Sequence, residues 1–152
     1  MRPARVLTYV NSPVNMRLVR IARDQWDVLA ILDGRGYCQV LDFLQQLPPN
    51  YAAAQRWMLQ FLHLQLPTAG PPRNNTDLCK SLGGGIFELR RQPKGQKLRT
   101  LFFYDDMSRI VLTNAFQKAE TTPRPQLALA RSLRKRYFEA KLRHGLQIVK
   151  ER

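Results

Sequence analysis

The stretch KSLGGGIFELRRQPKGQKLRTLFFYDD, residues 80–106, decides the fold. Three glycines run into Ile86–Arg91, where Phe87 and Leu89 alternate with Glu88 and Arg90. Successive strand residues point to opposite faces, so this segment reads as a strand with one apolar and one charged face, and Glu88 and Arg90 point the same way. QPKGQ then turns the chain, with Gly95 free to take a positive φ. Residues 98–104 make a second strand carrying Arg99, with Lys97 at its start. DDMS turns again, residues 109–116 make a third strand, and Lys118 follows it. The expectation is an antiparallel meander. The glycines Gly83 to Gly85 match neither GxGxxG opening a helix nor GxxxxGK[ST], so no nucleotide-binding loop is read here. They serve conformation: a tight turn and a surface that another group can approach closely.

Working outward, WDVLAILD (residues 26–33) is a short β-rich run ended by Gly34 and Gly36. QVLDFLQQL places Val40, Leu41, Phe43, Leu44 and Leu47 at helical spacing, and Pro48-Pro49 ends that helix. Asn50 is the candidate N-cap of the next one, YAAAQRWMLQFLHLQL, whose stripe holds Ala54, Trp57, Met58, Phe61, Leu62 and His63. The two form a helical hairpin. Residues 67–77 are a loop rich in breakers. Downstream, QKAETTPRP leads to a helix over 125–142, capped by Thr121 or Thr122, with Leu129, Leu133, Tyr137 and Ala140 on one stripe. The order β-α-α-β-β-β-α is an α+β fold, with the helical hairpin and the C-terminal helix packed on a small antiparallel sheet. Residues 1–25 read as a basic N-terminal arm, 26–145 as the domain and 146–152 as a tail.

The chain of 152 residues carries a net charge of +14. The charge is uneven: +4 over residues 1–25, zero over 26–85, +4 over 86–118 and +7 over 124–152. A strongly basic surface built from the meander and the last helix points to a phosphate-rich or acidic partner. Cys38 and Cys79 fit no paired motif, which argues against a disulfide scaffold and for a reducing compartment. His63 and His144 are the only histidines and lack ligand spacing, so no metal site and no cofactor are read. His63 reads as a packing residue, and His144 sits at a helix end. No apolar run reaches membrane-spanning length and no signal peptide is visible, so the reading is cytoplasmic, with no membrane partner.

A sheet face with arginine and lysine from neighbouring strands can hold a phosphodiester. Metal-free RNA cleavage needs a base for the 2′-OH, cations for the phosphorane and an acid for the 5′-oxygen. Lacking a histidine pair, the chain can use lysine, whose basicity falls when arginines crowd it.

The segments WDVLAILDGRG…VLDFLQQLP, KSLGGGIFELR and LRTLFFYDDMSRIVLTNAFQKAETTP, in that order, resemble the HigB/RelE-like toxins of bacterial type II toxin–antitoxin systems, in the phage-derived branch of the RelE/ParE superfamily. The resemblance spans roughly residues 26–140. It implies a compact RelE-like fold and endoribonucleolytic cleavage of mRNA, commonly on ribosomes. It also implies a cognate antitoxin with a helix-turn-helix domain and a possible heterotetramer with it. By position, Arg90 matches the arginine of E-L-R, Arg99 the arginine opening the aromatic strand, Lys118 the first lysine of F-x-K-K, and Tyr137 a helix tyrosine. The implied catalytic set is therefore Arg99 for phosphate binding, Lys118 for proton transfer or charge stabilisation, Arg90 as a second clamp, Glu88 orienting Arg90 or accepting a proton, and Tyr137. Lys97, Arg91, Arg131, Arg134 and Lys135 are the further RNA contacts. The pattern's second lysine is Ala119 here, and Gln126-Leu127 stands where the family often has an acidic residue. Two other readings stand beside it: a gyrase-inhibiting ParE-like toxin, against which the +4 of the meander argues, and a non-enzymatic nucleic-acid-binding protein.

Overall fold

A computed structural model describes residues 15–118 and 123–151. It shows one seven-stranded mixed sheet between two helical layers. The strands are β1 (Met16–Arg23), β2 (Asp27–Ile31), β3 (Cys79–Gly83), β4 (Ile86–Arg91), β5 (Leu98–Asp105), β6 (Arg109–Gln117) and β7 (Leu146–Lys150). The spatial order is β3-β4-β5-β6-β2-β1-β7. The helices are α1 (Gln39–Gln45), α2 and α3 (Arg124–Leu142); α2 runs from Ala52–Gln60 through a π-helical segment, Phe61–Gln65, into a last turn, Leu66–Ala69.

The α+β class and the meander β4-β5-β6 agree with the sequence reading, but the sheet is larger and not wholly antiparallel. β2 runs parallel to β6, and β1 runs parallel to β7. β1, β3 and β7 were not expected. Residues 16–23, read within the basic arm, form an inner strand because Val19 and Ile21 pack on one face of the sheet while Met16 and Leu18 pack on the other. The interspersed Arg17, Arg20 and Arg23 hide that pattern in the sequence. Residues 146–150, read as tail, pair with β1 as an edge strand. Residues 1–14 of the expected arm, the candidate caps Thr121 and Thr122, and Ala119 lie outside the described residues. Asn50 does not cap α2 through its side chain; its carbonyl accepts from Gln96 Nε2 at 2.7 Å instead.

Two cores flank the sheet. Under α1 and α2 lie Val28, Leu44, Met58, Leu62, Leu89 and Phe102; under α3 lie Leu29, Ile86, Leu101, Phe103, Val111 and Tyr137. α3 turns Ala130, Tyr137 and Ala140 inward, with Leu133 partly buried, while Leu129 of the expected stripe stays exposed. Each fully buried leucine or phenylalanine stabilises by roughly 1.5–3 kcal/mol. Truncating Leu101 or Phe103, which sit under α3 with no solvent access, costs about 2–5 kcal/mol. Among the described residues, no helix is long and apolar enough to cross a membrane.

Candidate functional site

Strand alternation divides the meander. Phe87 and Leu89 face the α2 core, while Ile86, Glu88 and Arg90 face the α3 side. On β5, Leu98, Thr100 and Phe102 take the first face, and Arg99, Leu101 and Phe103 take the second. Register then sets Arg90 directly opposite Arg99, Lys80 opposite Glu88, and Arg99 opposite Phe116, with Lys118 just past the end of β6.

Two arginines side by side across a ladder repel one another. Glu88 answers that repulsion: its Oε1 lies 3.4 Å from Arg90 Nε and 3.5 Å from Arg99 Nε. The carboxylate is fully buried and Arg99 is only 1% exposed. Arg99 Nη1 donates to the Leu98 carbonyl at 2.9 Å and Nη2 donates to Gln92 Oε1 at 2.6 Å. Burial lowers the basicity of Arg99, and Glu88 works against that shift. The face read as open to a phosphate is therefore closed at Arg99, which holds the site together from below. Arg90 is more open; its Nη1 donates to the Thr76 carbonyl at 3.0 Å.

Lys118 is tied to the same place by its backbone, whose N–H donates to the Lys97 carbonyl at 2.8 Å. Its amine is less basic than an ordinary lysine. Partial burial is the main cause, Glu88 opposes it, and Arg99, Arg90 and Lys80 add to it. Four of the residues singled out in the sequence, Glu88, Arg90, Arg99 and Lys118, thus meet at one end of the α3 face. An amine with lowered proton affinity beside arginines can accept a proton and bind an anion.

Tyr137 is elsewhere. It sits at the Asp105 end of β5, about 20 Å along the strand from Arg99. Its hydroxyl donates to Asp105 Oδ2 and accepts from Arg109 Nη1 at 3.4 Å. Burial, then the bond to Asp105, raises its pKa well above the ordinary phenol. Lys141 Nζ joins Asp105 at 2.6 Å, and Asp27 takes Arg20 in a two-pronged contact at 2.8 and 3.0 Å and Arg109 at 3.3 Å. Tyr137 is a member of this second network, because its helical position faces Phe103 and Asp105 rather than the start of β5.

The remaining basic residues divide. Arg91 points to the α2 side, its guanidinium 4.7 Å over the Trp57 ring, because residues 87, 89 and 91 share that face. Lys97 lies at the entrance to β5 beside Lys118. Arg131 and Arg134 reach from α3 onto the glycine turn, and Lys135 is exposed on the helix flank. Sequence reasoning missed Lys80 and Gln92. The turn at Gly84-Gly85 pairs Gly83 with Ile86, a register that by itself would set Lys80 opposite Leu89; a bulge between Ser81 and Gly83 shifts the pairing by one residue and brings Lys80 opposite Glu88, which the sequence did not signal. Gln92 follows the strand and carried no pattern.

Among the described residues, no group of His, Cys, Asp and Glu is arranged to hold a metal ion. Cys38 and Cys79 are buried free thiols, each pushed up to about 11 by burial. His63 is half-buried, bonded to the Leu59 carbonyl at 2.8 Å and to Glu151 at 2.9 Å. A sequence profile of the family described as Phage derived protein Gp49-like (DUF891) matches residues 42–135, a span that contains Lys80, Glu88, Arg90, Arg99 and Lys118. No curated protein matches the chain.

Proposed function

The chain belongs to the Gp49-like family of phage-derived proteins, and from that premise we propose that it is a RelE-like toxin of the HigB kind, the toxin component of a type II toxin–antitoxin system and an endoribonuclease that cleaves mRNA without a metal. The family is associated with RelE-like toxin–antitoxin proteins. The observation that carries the reading is the meeting of Arg90, Arg99 and Lys118 around one buried carboxylate, with a lysine of lowered basicity at the solvent side.

In this reading the 2′-oxygen attacks phosphorus and the neutral amine of Lys118 takes its proton. The P–O5′ bond breaks, and the departing oxygen takes up a proton from the resulting ammonium or from water. The products are a 2′,3′-cyclic phosphate and a 5′-hydroxyl. Arg90 stabilises the added charge on the phosphorane. Arg99 acts through Glu88, holding the carboxylate that aims Arg90 and tunes Lys118. The substrate is mRNA, engaged on the ribosome, and the cleavage step itself uses no group beyond this chain, the RNA and water. The protein partner is a helix-turn-helix antitoxin that binds the toxin in the cytoplasm as a heterotetramer.

The test is induction of the wild-type chain and of the Lys118→Ala and Arg90→Ala variants, with growth and RNA ends followed together. Growth arrest with new 5′-hydroxyl ends in the wild type, and their loss in both variants, supports the reading. DNA damage without RNA cuts points instead to a gyrase-inhibiting toxin, and salt-sensitive binding of intact RNA points to a binding protein without catalysis.

A further inference from the structure

The outer edge of the sheet carries cations that this chemistry does not use. Among the described residues, β3 is the last strand in the sheet and pairs with β4 alone. Lys80 is exposed on it, directly across from Glu88 and close enough to influence Lys118. Two residues further along β3, the Leu82 carbonyl accepts from Arg131 Nη2 at 3.4 Å. At the turn that follows, a Cβ on Gly84 would stand 3.3 Å from Arg131 Nε, and one on Gly85 would stand 2.8 Å from Arg134 Nε. Both glycines also have positive φ, so any side chain there is strained twice over. Two guanidiniums one turn apart on α3 thus lie on bare backbone. Arg134 is held in place by the Phe138 ring, 5.0 Å away, and its Nε is buried without a hydrogen-bond partner. Among the described residues, no carboxylate forms an ion pair with Lys80, Arg131 or Arg134.

We propose that Lys80, Arg131 and Arg134, arrayed along β3 and its glycine turn, form a second phosphate-binding site that holds the single-stranded RNA flanking the scissile phosphate. This rests on the RNA-cleavage reading and adds a direction to it. From Lys80 to Gly84 is about 13 Å of extended strand, enough for a few nucleotides. A row of cations fixes the backbone of a single strand without reading its bases. It also gives a purpose to the run of three glycines: a Cβ at Gly85 would displace Arg134 from the track.

The experiment measures binding of a short 2′-O-methylated single-stranded RNA, which the enzyme cannot cut, as a function of salt, together with steady-state cleavage of a long RNA and of a dinucleotide. The variant Lys80→Ala/Arg131→Ala/Arg134→Ala lowers the slope of log K against log salt by about 2, from about 0.7 per lost phosphate contact. It raises KM for the long RNA, whereas cleavage of the dinucleotide responds to it no more than to Lys80→Ala alone, since Lys80 also influences Lys118. Arg131→Lys/Arg134→Lys keeps the charge and the slope, which separates lost contacts from a damaged fold. An unchanged slope and KM in the triple variant, while the wild type still cuts RNA, overturns the second site alone, including the case in which the same variant loses an acidic protein partner instead. A wild type that neither binds nor cuts RNA removes the parent reading and this one with it.

Discussion

The α3 face of the sheet has a charged cluster at each end, and the two are built to opposite plans. At the Asp105 end, Asp27 and Asp105 meet Arg20, Arg109, Lys141 and the Tyr137 hydroxyl, and every carboxylate has close cationic partners. At the Arg99 end, the carboxylate of Glu88 faces Arg90 and Arg99 at 3.4 and 3.5 Å, with Lys118 and Lys80 adding positive charge nearby. The first cluster is close to neutral and ties β1, β2, β5, β6 and α3 to each other. Among the described residues, the second holds more cationic than anionic groups. A charge network that is satisfied internally belongs to the fold, whereas one left cationic is available to an anion.

Lys118→Ala breaks this contrast most sharply. RNA cleavage should fall by roughly 100-fold or more, the usual scale for a lost proton-transfer group. The lysine is partly exposed and makes no buried pair, so thermal stability should shift by no more than about 0.5 kcal/mol in a melting experiment. Glu88→Ala should act on both properties. It leaves Arg99 charged in the interior without its carboxylate, and denaturant titration should show a loss of about 3 kcal/mol.

Tyr137→Phe probes the other end. It strips a buried hydrogen bond from Asp105 and should cost about 1–3 kcal/mol by chemical denaturation. Cleavage per folded molecule should stay at the wild-type rate. A large loss of kcat with an intact fold would return Tyr137 to the catalytic set.

The smallest expected effect is in pH. In the proposed mechanism Lys118 accepts a proton when neutral, so cleavage should rise with pH through a value below the ordinary lysine 10.5. Glu88 is the neighbour that raises its proton affinity, so Glu88→Gln should move the rise to lower pH. A rise that stays put, or moves up, would separate Glu88 from Lys118. The folded chain also holds this proton less tightly than the unfolded one, so the contribution of Lys118 to stability increases as pH climbs through the window below 10.5.

The meander was legible because Phe87 and Leu89 alternate with Glu88 and Arg90 on β4 and Gly95 marks the turn into the aromatic run of β5. The pairing of Arg90 with Arg99 came only with the structure, which fixes the register across the turn. β1 was not legible, since an inner strand covered on both faces carries apolar residues without alternation, and three arginines break up even that run. The burial of Arg99 was also out of reach: alternation assigns a face, but only α3 and the neighbouring ladder decide whether that face is dry. Tyr137 went to the wrong end because a helix of nineteen residues spans most of the sheet, and sequence spacing does not say where along the strands each turn lands.

The most direct test maps cut ends on a single-stranded RNA incubated with the purified wild type, Lys118→Ala and Tyr137→Phe side by side. The expected result is 5′-hydroxyl ends from the wild type and Tyr137→Phe, and intact RNA with folded Lys118→Ala. Equal cutting by Lys118→Ala, or its survival only when Tyr137 is present, would contradict it.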